Sequence, residues 1–190
     1  MKLKLLIATL LTAATASSMA ASTTYNLDPT HTFPSFEADH MGLSVWRGKF
    51  NKSSGTVTLD PAAKTGALNV KIEADSIDFG LDAMNKHARD ESMFNVAKFP
   101  TITYTSKSFK FDGDKLVGVD GELTLLGVTK PVSLKIDKFK CIMHPRLKRE
   151  ACGADATAEF KRSDFGLNYG LPNFSPEVKL AIQIEAVKAD

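Results

Sequence analysis

Four histidines are the side chains best suited to bind a metal or to act as a general base: His31, His40, His87 and His144. No two of them form an HxH, an HExxH or an i,i+4 pair, which are the spacings that bring two imidazoles to one ion. His40 alternates with Phe36 and Ala38, so we expect its ring to face inward, where an imidazole needs a hydrogen-bond partner or the polar end of a ligand. A structural or ligand-contacting role is therefore expected for His40, ahead of catalysis.

The residue types that serve as nucleophiles lack a supporting context. There is no GxSxG motif, and no glycine-rich loop follows a strand pattern to hold a phosphate. Paired carboxylates are either adjacent, as in Asp90-Glu91, or lie on the polar face of a strand. The sequence thus gives no positive case for an enzyme or for a bound cofactor. Catalysis by His40 or His87 is retained only as a third hypothesis, because barrels host many functions.

Residues 1–20 have the pattern of a secretory signal peptide. A basic start with Lys2 and Lys4 precedes an apolar run from Leu5 to Leu11, and Ser18-Met19-Ala20 is a small-x-small cleavage signal. We expect cleavage after Ala20, export to the periplasm and one mature domain over residues 21–190. The apolar run is far shorter than the roughly 20 residues that a membrane-spanning helix needs.

The formal charge of the whole chain is +2, and Lys2 and Lys4 account for it. Without them the domain has 22 basic and 22 acidic side chains, so its charge gives no support to nucleic-acid binding. The neutral total hides an uneven distribution. Seven Lys and Arg residues lie between Lys130 and Arg149 with a single acid, Asp137, and we call residues 130–149 the basic hairpin.

Cys141 and Cys152 belong to the expected exported domain, where oxidising conditions favour a disulfide. A bridge would close a loop of about a dozen residues and contribute roughly 3 kcal/mol to stability in the chain-entropy model. A zinc site is not expected, because only His144 lies between the two cysteines and no CxxC spacing is present.

From Tyr25 onward, apolar and polar residues alternate with period two, which is typical of half-buried β-strands. The apolar members of the clearest runs are Leu68, Val70 and Ile72; Ile102 and Tyr104; Val132, Leu134 and Ile136; Ala154, Ala156 and Ala158; and Val178, Leu180 and Ile182. Seven to nine antiparallel strands in up-and-down order are expected, with one or two helical turns over residues 81–93. Strands with one apolar face must close on themselves or pair two sheets, so a barrel and a sandwich both remain open.

Twelve Phe, three Tyr and one Trp give the expected interior a surplus of large side chains. Several occur in pairs: Phe33 and Phe36, Trp46 and Phe50, Phe94 and Phe99, Phe165 and Tyr169. Core packing is the ordinary explanation for such residues. A long apolar ligand would use the same surface, because burial of its chain needs a dry apolar cavity and few specific groups.

Six stretches, taken in order, resemble the YceI-like family of exported bacterial proteins. They are residues 25–28 (YNLD) with His31, 36–50 (FEADHMGLSVWRGKF), 87–100 (HARDESMFNVAKFP), 123–132 (LTLLGVTKPV), 162–171 (RSDFGLNYGL) and 178–186. The resemblance implies an all-β fold, an eight-stranded antiparallel lipocalin-like barrel with a short helical insert near residues 80–95. It also implies an elongated pore for an amphiphilic isoprenoid lipid, and no catalytic residues. The basic hairpin is not a feature of the whole family.

Carried onto this chain, the resemblance gives a set of ligand-binding candidates that line the pore: Phe36, His40, Val45, Trp46, Phe50, Phe79, Met84, Phe94, Phe99, Ile102, Tyr104, Phe165, Leu167 and Tyr169. Four polar residues are candidates for contact with a head group: His40, His87, Arg89 and Arg162. A regular strand cannot turn both Val45 and Trp46 inward, so the facing of residues 43–50 stays open.

The leading hypothesis is a soluble periplasmic carrier that sequesters a long-chain isoprenoid lipid, such as a quinone or a polyprenyl phosphate, without bond chemistry. The second hypothesis is an interaction module whose basic hairpin docks on an acidic partner or on an anionic membrane surface. Transient contact with a membrane surface or a membrane protein fits both hypotheses, and a homodimer is compatible with either.

Overall fold

The structure is a computed structural model that describes residues 22–190, so the predicted signal peptide lies outside the described residues. Eleven strands and one α-helix are found in this range. The strands are β1 Thr23–Leu27, β2 Phe33–His40, β3 Ser44–Phe50, β4 Ser53–Asp60, β5 Thr65–Glu73, β6 Ile77–Asp78, β7 Thr101–Asp112, β8 Lys115–Leu125, β9 Val128–Met143, β10 Glu150–Lys161 and β11 Glu177–Lys188. The helix is α1 Asp82–Arg89, and single 3-10 turns lie at Ala74–Ser76 and Arg162–Phe165. No helix in this range is long and apolar enough to cross a bilayer.

Eight of the strands form a closed antiparallel barrel, as predicted. Their order is β1-β4-β5-β7-β8-β9-β10-β11, and the ring closes where β1 pairs with β11, for example at Tyr25 opposite Lys188. The expected number of seven to nine strands falls short of eleven because β2, β3 and β6 lie outside the ring. The first half of β11 pairs with β2, and β3 and β6 continue the sheet from there.

The helix is attached to the barrel by polar contacts of its buried face. The Asn85 side chain accepts a hydrogen bond from the Phe79 backbone N–H (2.7 Å) and donates one to Asp78 Oδ1 (3.0 Å). Ala88 on the same face is fully buried. The helix therefore covers one rim of the barrel. It confirms the predicted one or two helical turns, but it ends at Arg89 because residues 91–94 and 96–98 form turns.

Antiparallel pairing sorts the connections into two opposite ends of the barrel. We call the end with the β2–β3 turn, α1 and the irregular segment 162–176 the helix end. The end with the β4–β5, β7–β8 and β9–β10 turns is the hairpin end. The basic hairpin thus begins at the helix end with Lys130 and has its turn at the hairpin end.

A β-bulge changes the facing of β9 halfway along its length. Ile136 lies opposite Ala156 and Lys138 lies opposite Asp155, so Asp137 is an extra residue in β9. Because facing alternates along a strand, the extra residue turns Phe139 inward and leaves Lys138 on the outer face. The predicted alternation through Ile136 is confirmed, but it does not extend across the bulge.

The predicted disulfide between Cys141 and Cys152 is confirmed. The two cysteines lie directly opposite each other on β9 and β10, with Cα atoms 4.0 Å apart. Glu150 lies beside the two sulfurs, but bonded cysteines carry no thiolate that could bind a metal. The bridge therefore fixes the register of the hairpin near its turn.

Candidate functional site

The interior of the barrel contains a cavity of about 450 Å³, within the usual size range of ligand pockets. Its walls are the inward-facing residues of the barrel strands, such as Leu68 on β5, Ile102 on β7 and Leu134 on β9. Nearly all of these side chains are aliphatic or aromatic. The cavity is therefore suited to an apolar chain, which gains free energy by leaving water.

Tyr104 shows how a polar group in the wall is kept from disturbing this apolar surface. Its hydroxyl lies 2.9 Å from the Val132 carbonyl oxygen and 3.2 Å from that of Val119, so it is hydrogen-bonded within the protein. Burial raises the pKa of Tyr104 above its ordinary value, and the ring stays neutral. Tyr104 thus presents only its aromatic face to the cavity.

Aromatic rings from β2, β3 and the following segments surround the cavity at the helix end. Phe36 packs edge-on against Phe79 at 5.3 Å, and Trp46 contacts the same ring at 5.8 Å. The His40 imidazole stacks on the Trp46 indole at 4.8 Å. The residue opposite Phe36 is Gly48, where a Cβ would lie 2.5 Å from the Phe36 ring, so a glycine is needed for this packing.

His87 on α1 and Tyr169 form a second pair of rings at the same end, with centroids 4.7 Å apart. His87 Nδ1 lies 3.9 Å from Asp90 Oδ2. The other ring nitrogen, Nε2, is buried and has no hydrogen-bond partner among residues 22–190. His87 lines the cavity, but Nε2 itself is buried, so it can contact a polar group of a ligand only if the ring turns.

Arg162 is a buried cationic side chain in the cavity wall, with 8% of its surface exposed. Its Nε donates to the Ser175 carbonyl oxygen (3.1 Å) and its Nη1 to the Leu167 carbonyl oxygen (2.8 Å). No carboxylate pairs with it in the described part of the chain, and Nη2 makes no hydrogen bond there. Burial lowers the pKa of Arg162, but an arginine remains protonated in proteins. Arg162 therefore carries a positive charge that no carboxylate pairs with among the described residues, although the wall also contains Asp39.

The structure brings most of the predicted site residues together around this cavity. Those that line it are Phe36, His40, Trp46, Phe50, Phe79, Met84, His87, Phe94, Ile102, Tyr104, Arg162, Leu167 and Tyr169. Their position is a finding, whereas their contact with a ligand stays a prediction.

Two of the predicted residues lie on the outside of the walls. Val45 is 45% exposed, because its neighbour Trp46 faces the cavity and side chains alternate along β3. This answers the question of which residues of 43–50 face inward. Arg89 points away from the cavity and donates from Nε to the Asp75 carbonyl oxygen (2.7 Å), which fastens α1 to the 3-10 turn below it.

The other two predicted residues pack in the protein without reaching the cavity. Phe165 is 2% exposed and packs edge-on against Phe160 at 5.2 Å. Phe99 packs against the β8–β9 turn, where a Cβ on Gly127 would lie 3.0 Å from its ring. Phe165 belongs to the core packing that was the ordinary explanation for the aromatic pairs, whereas Phe99 is half-buried at the turn.

Five aromatic residues of the cavity wall were missing from the predicted site: Tyr25, Phe109, Phe139, Phe160 and Phe174. For two of them the sequence holds no usable local signal. Phe174 contacts His40 at 5.2 Å, but it lies in an irregular segment with no periodicity that could reveal its facing. Phe139 follows the Asp137 bulge, so its facing is opposite to the one that a regular strand would give. Neither residue is part of the six family-like stretches.

Comparison with known proteins agrees with this architecture. Two curated relatives, both called Protein YceI, from Salmonella arizonae and Salmonella paratyphi B, are 38% identical over 177 residues, which are 92% of this chain and 91% of each relative.

Solved structures share the fold at lower identity. BcnA from Burkholderia cenocepacia aligns with a TM-score of 0.70 at 22% identity, covering 84% of this chain and 99% of BcnA. A polyisoprenoid binding domain from Saccharophagus degradans aligns with a TM-score of 0.64 at 20% identity, covering 88% of this chain and 99% of that domain. A family model described as YceI-like domain matches residues 25–186. The chain therefore belongs to the YceI-like family.

Proposed function

We propose that this chain is a periplasmic carrier that sequesters a long-chain isoprenoid lipid inside the barrel. The observation that carries the proposal is the closed barrel with its apolar cavity of about 450 Å³. The structural relative from Saccharophagus degradans, described as a polyisoprenoid binding domain, supports the same ligand class. The chain acts in this role by binding alone, and no reacting group is required of it.

Burial of the lipid tail supplies the driving force. Each methylene that leaves water contributes roughly 0.8 kcal/mol, so about a dozen buried methylenes give a gross gain near 10 kcal/mol before the costs of association. Apolar contact of this kind is not directional. The barrel can therefore hold a flexible tail without specific contacts along its length.

The head group lies at the helix end in our proposal, because the free polar atoms of the wall are there. Arg162 offers the unpaired Nη2 and His87 offers the unpartnered Nε2. His40, stacked on Trp46, lies on the same rim. A phosphate would accept hydrogen bonds from the guanidinium, and a quinone carbonyl would do so more weakly.

Trp46 provides a direct test of binding, since it is the single tryptophan of the chain and lines the cavity. Titration of the mature protein with geranylgeranyl phosphate and with geranylgeraniol should change its fluorescence saturably. Native mass spectrometry of protein purified from its own periplasm should show a bound lipid. A protein that is always empty and takes up neither compound would contradict the proposal.

A second role, docking through the basic hairpin, is favoured by one specific observation. Lys138, Lys140, Arg146 and Lys148 have no ion-pair partner among the described residues and lie on the hairpin close to its turn. Unpaired cations attract anionic surfaces over about a Debye length. Binding to anionic vesicles that weakens with salt would support this role, and it can coexist with lipid transport.

A further inference from the structure

Two cavity-lining residues are more than one-third exposed, and they lie at opposite ends of the barrel. Tyr169 is 46% exposed at the helix end, and Phe139 on β9 is 37% exposed toward the hairpin end. A side chain that touches both the cavity and the solvent marks a place where the wall is thin. The cavity thus approaches the surface at two separate points.

The sheet itself is open beside Phe139. The pairing of β8 with β9 stops at Gly118 opposite Lys135, although β9 continues to Met143. The last eight residues of β9 therefore have no partner on the β8 side, and the start of β8 pairs only with β7. Leu116 and Phe139 line the cavity from the two strands that separate here. Between them the strand pairing of the barrel wall is interrupted.

The turn next to this gap is apolar at its tip and basic around it. Ile142, Met143 and Leu147 are 45%, 67% and 42% exposed, and we call these three residues the apolar tip. Lys138 and Lys140 lie on the outer face of β9, and Arg146 and Lys148 are exposed in the turn. The nearby acids are Asp137, which pairs with Lys135, Asp155, opposite Lys138, Glu150, which accepts a hydrogen bond from Tyr25, and Asp190, which pairs with Arg149.

We infer that the cavity is a tunnel with a second opening under Phe139. The far end of a long prenyl chain leaves the barrel through this opening. The apolar tip and the surrounding cations bind an anionic bilayer, so that the opening faces the membrane. The inference rests on the proposed function. Apolar side chains surrounded by Lys and Arg fit an anionic lipid interface, where the former enter the acyl boundary and the latter pair with head groups. An acidic protein would complement the cations but not the apolar tip.

The geometry allows a long chain to use both openings at once. Arg162 is nine residue steps along the chain from Gly153, which lines the far part of the cavity, so the path is roughly 30 Å at about 3.3 Å per step. When Arg162 binds the head group, the end of a chain shorter than this path stays inside the cavity. The end of a longer chain emerges past Phe139. A bilayer at the hairpin end would shield that emerging chain from water.

The passage of the chain is tested by placing a charge at the opening. Phe139→Glu should weaken binding of undecaprenyl phosphate at least ten-fold and leave farnesyl phosphate, which ends inside the cavity, within two-fold of the wild-type affinity. Phe139→Leu is the matched control and should retain both. Equal effects on the two lipids, or no effect on either, would overturn the inference. Failure of wild-type protein to bind either lipid would instead contradict the proposed function.

The seating on a bilayer is tested by flotation with vesicles of phosphatidylglycerol and phosphatidylcholine, and with phosphatidylcholine alone. Lys138→Glu/Lys140→Glu should reduce partition into the anionic vesicles at least ten-fold, since each cation near such a surface contributes about five-fold. Ile142→Ser/Met143→Ser/Leu147→Ser should reduce it at every salt concentration. Lys71→Glu/Lys86→Glu, with the same net charge as the first variant and both changes outside the basic hairpin, should retain it. An equal loss in this control, or no binding by the wild type, would refute the seating.

Discussion

At the scale of single residues, Arg162 and Phe36 show how unlike side chains share one cavity. Phe36 needs only space for its ring, and Gly48 provides that space because it has no side chain. Arg162 needs hydrogen-bond acceptors, and it obtains them from the carbonyl oxygens of Leu167 and Ser175. Backbone acceptors hold the guanidinium in place without neutralising it, so its charge remains available to a ligand.

Arg162→Gln should therefore lower both stability and selectivity. We expect a loss of about 2–3 kcal/mol in the free energy of unfolding, because two buried carbonyl groups lose a charged donor. Geranylgeranyl phosphate should bind more weakly to the variant, whereas geranylgeraniol should be affected much less. Arg47→Gln, which removes an exposed ion pair with Glu37, should cost less than about 1 kcal/mol. Equal weakening of the two lipids would argue that Arg162 is structural only.

Asp78 holds a hydrogen-bond network that should make the helix end sensitive to acid. Hydrogen bonds from the Gly80 backbone N–H and from the Asn85 and Asn51 side chains lower the pKa of Asp78 to about 2. A carboxyl group whose pKa is lowered by folding stabilises the folded state above its unfolded pKa, and this contribution is lost as the pH falls toward the folded pKa.

Asp78→Asn should accordingly flatten the pH dependence of the melting temperature between about pH 4 and pH 2, where the wild type should lose stability. Asp112→Asn, an exposed change with no side-chain hydrogen bond among the described residues, should leave that slope unchanged. Melting followed by circular dichroism across this range would measure both. An unaltered slope in Asp78→Asn would contradict this assignment.

At the scale of elements, the β9–β10 pair is held by two different devices. Near the turn, the Cys141–Cys152 bridge joins facing residues. Further along, Thr157 donates a hydrogen bond to Asp137, the extra residue of the bulge (2.9 Å). The bridge stabilises the hairpin where β9 has no β8 neighbour, so it supports a part of the barrel in which β9 is paired on one side only.

Cys141→Ser/Cys152→Ser should cost about 3 kcal/mol of unfolding free energy, from the closure entropy of the short loop. The midpoint of urea unfolding should fall by about 1–2 M. A reducing agent should shift the wild-type midpoint to that of the double variant and leave the variant unmoved. A wild type that is insensitive to reductant would show that the bridge adds no stability.

The strands were predictable from the sequence where their alternation is regular, and the site was predictable where it lies on such strands. Leu68, Ile102 and Leu134 face the cavity as their periodicity indicates. Phe139 and Phe174 were not predictable, because a bulge and an irregular segment remove the local signal. The hydrogen-bond acceptors of Arg162 are backbone carbonyl groups. Every residue carries one, so no pattern of side chains in the sequence could predict which of them Arg162 contacts.

At the scale of the whole molecule, the barrel is polarised between its ends. Free polar atoms inside the cavity lie at the helix end, whereas unpaired surface cations and the apolar tip lie at the hairpin end. The two sets of groups are separated by the length of β10. Ligand chemistry and surface attachment therefore need not compete for one rim.

Ligand binding should stabilise the whole barrel, since its walls come from all eight strands of the ring. At a concentration of about 100 times the dissociation constant, geranylgeranyl phosphate should add about 2.7 kcal/mol. For a domain of this size the melting temperature should rise by roughly 5–10 °C. Differential scanning fluorimetry would measure the shift, with inorganic phosphate as the control. A shift produced equally by inorganic phosphate would indicate an ion effect without tail burial.

The bulge at Asp137 has one more consequence, which concerns insertions and deletions instead of substitutions. A bulge adds one residue to one strand, and the partner strand keeps its own alternation across it. Loss of Asp137 would make the pairs Ile136–Ala156 and Lys138–Asp155 consecutive, so Phe139 would still face the cavity and Lys138 and Lys140 would still face outward. The length of this stretch of β9 can therefore shrink by one residue without exchange of the two faces, because the bulge holds one residue in excess.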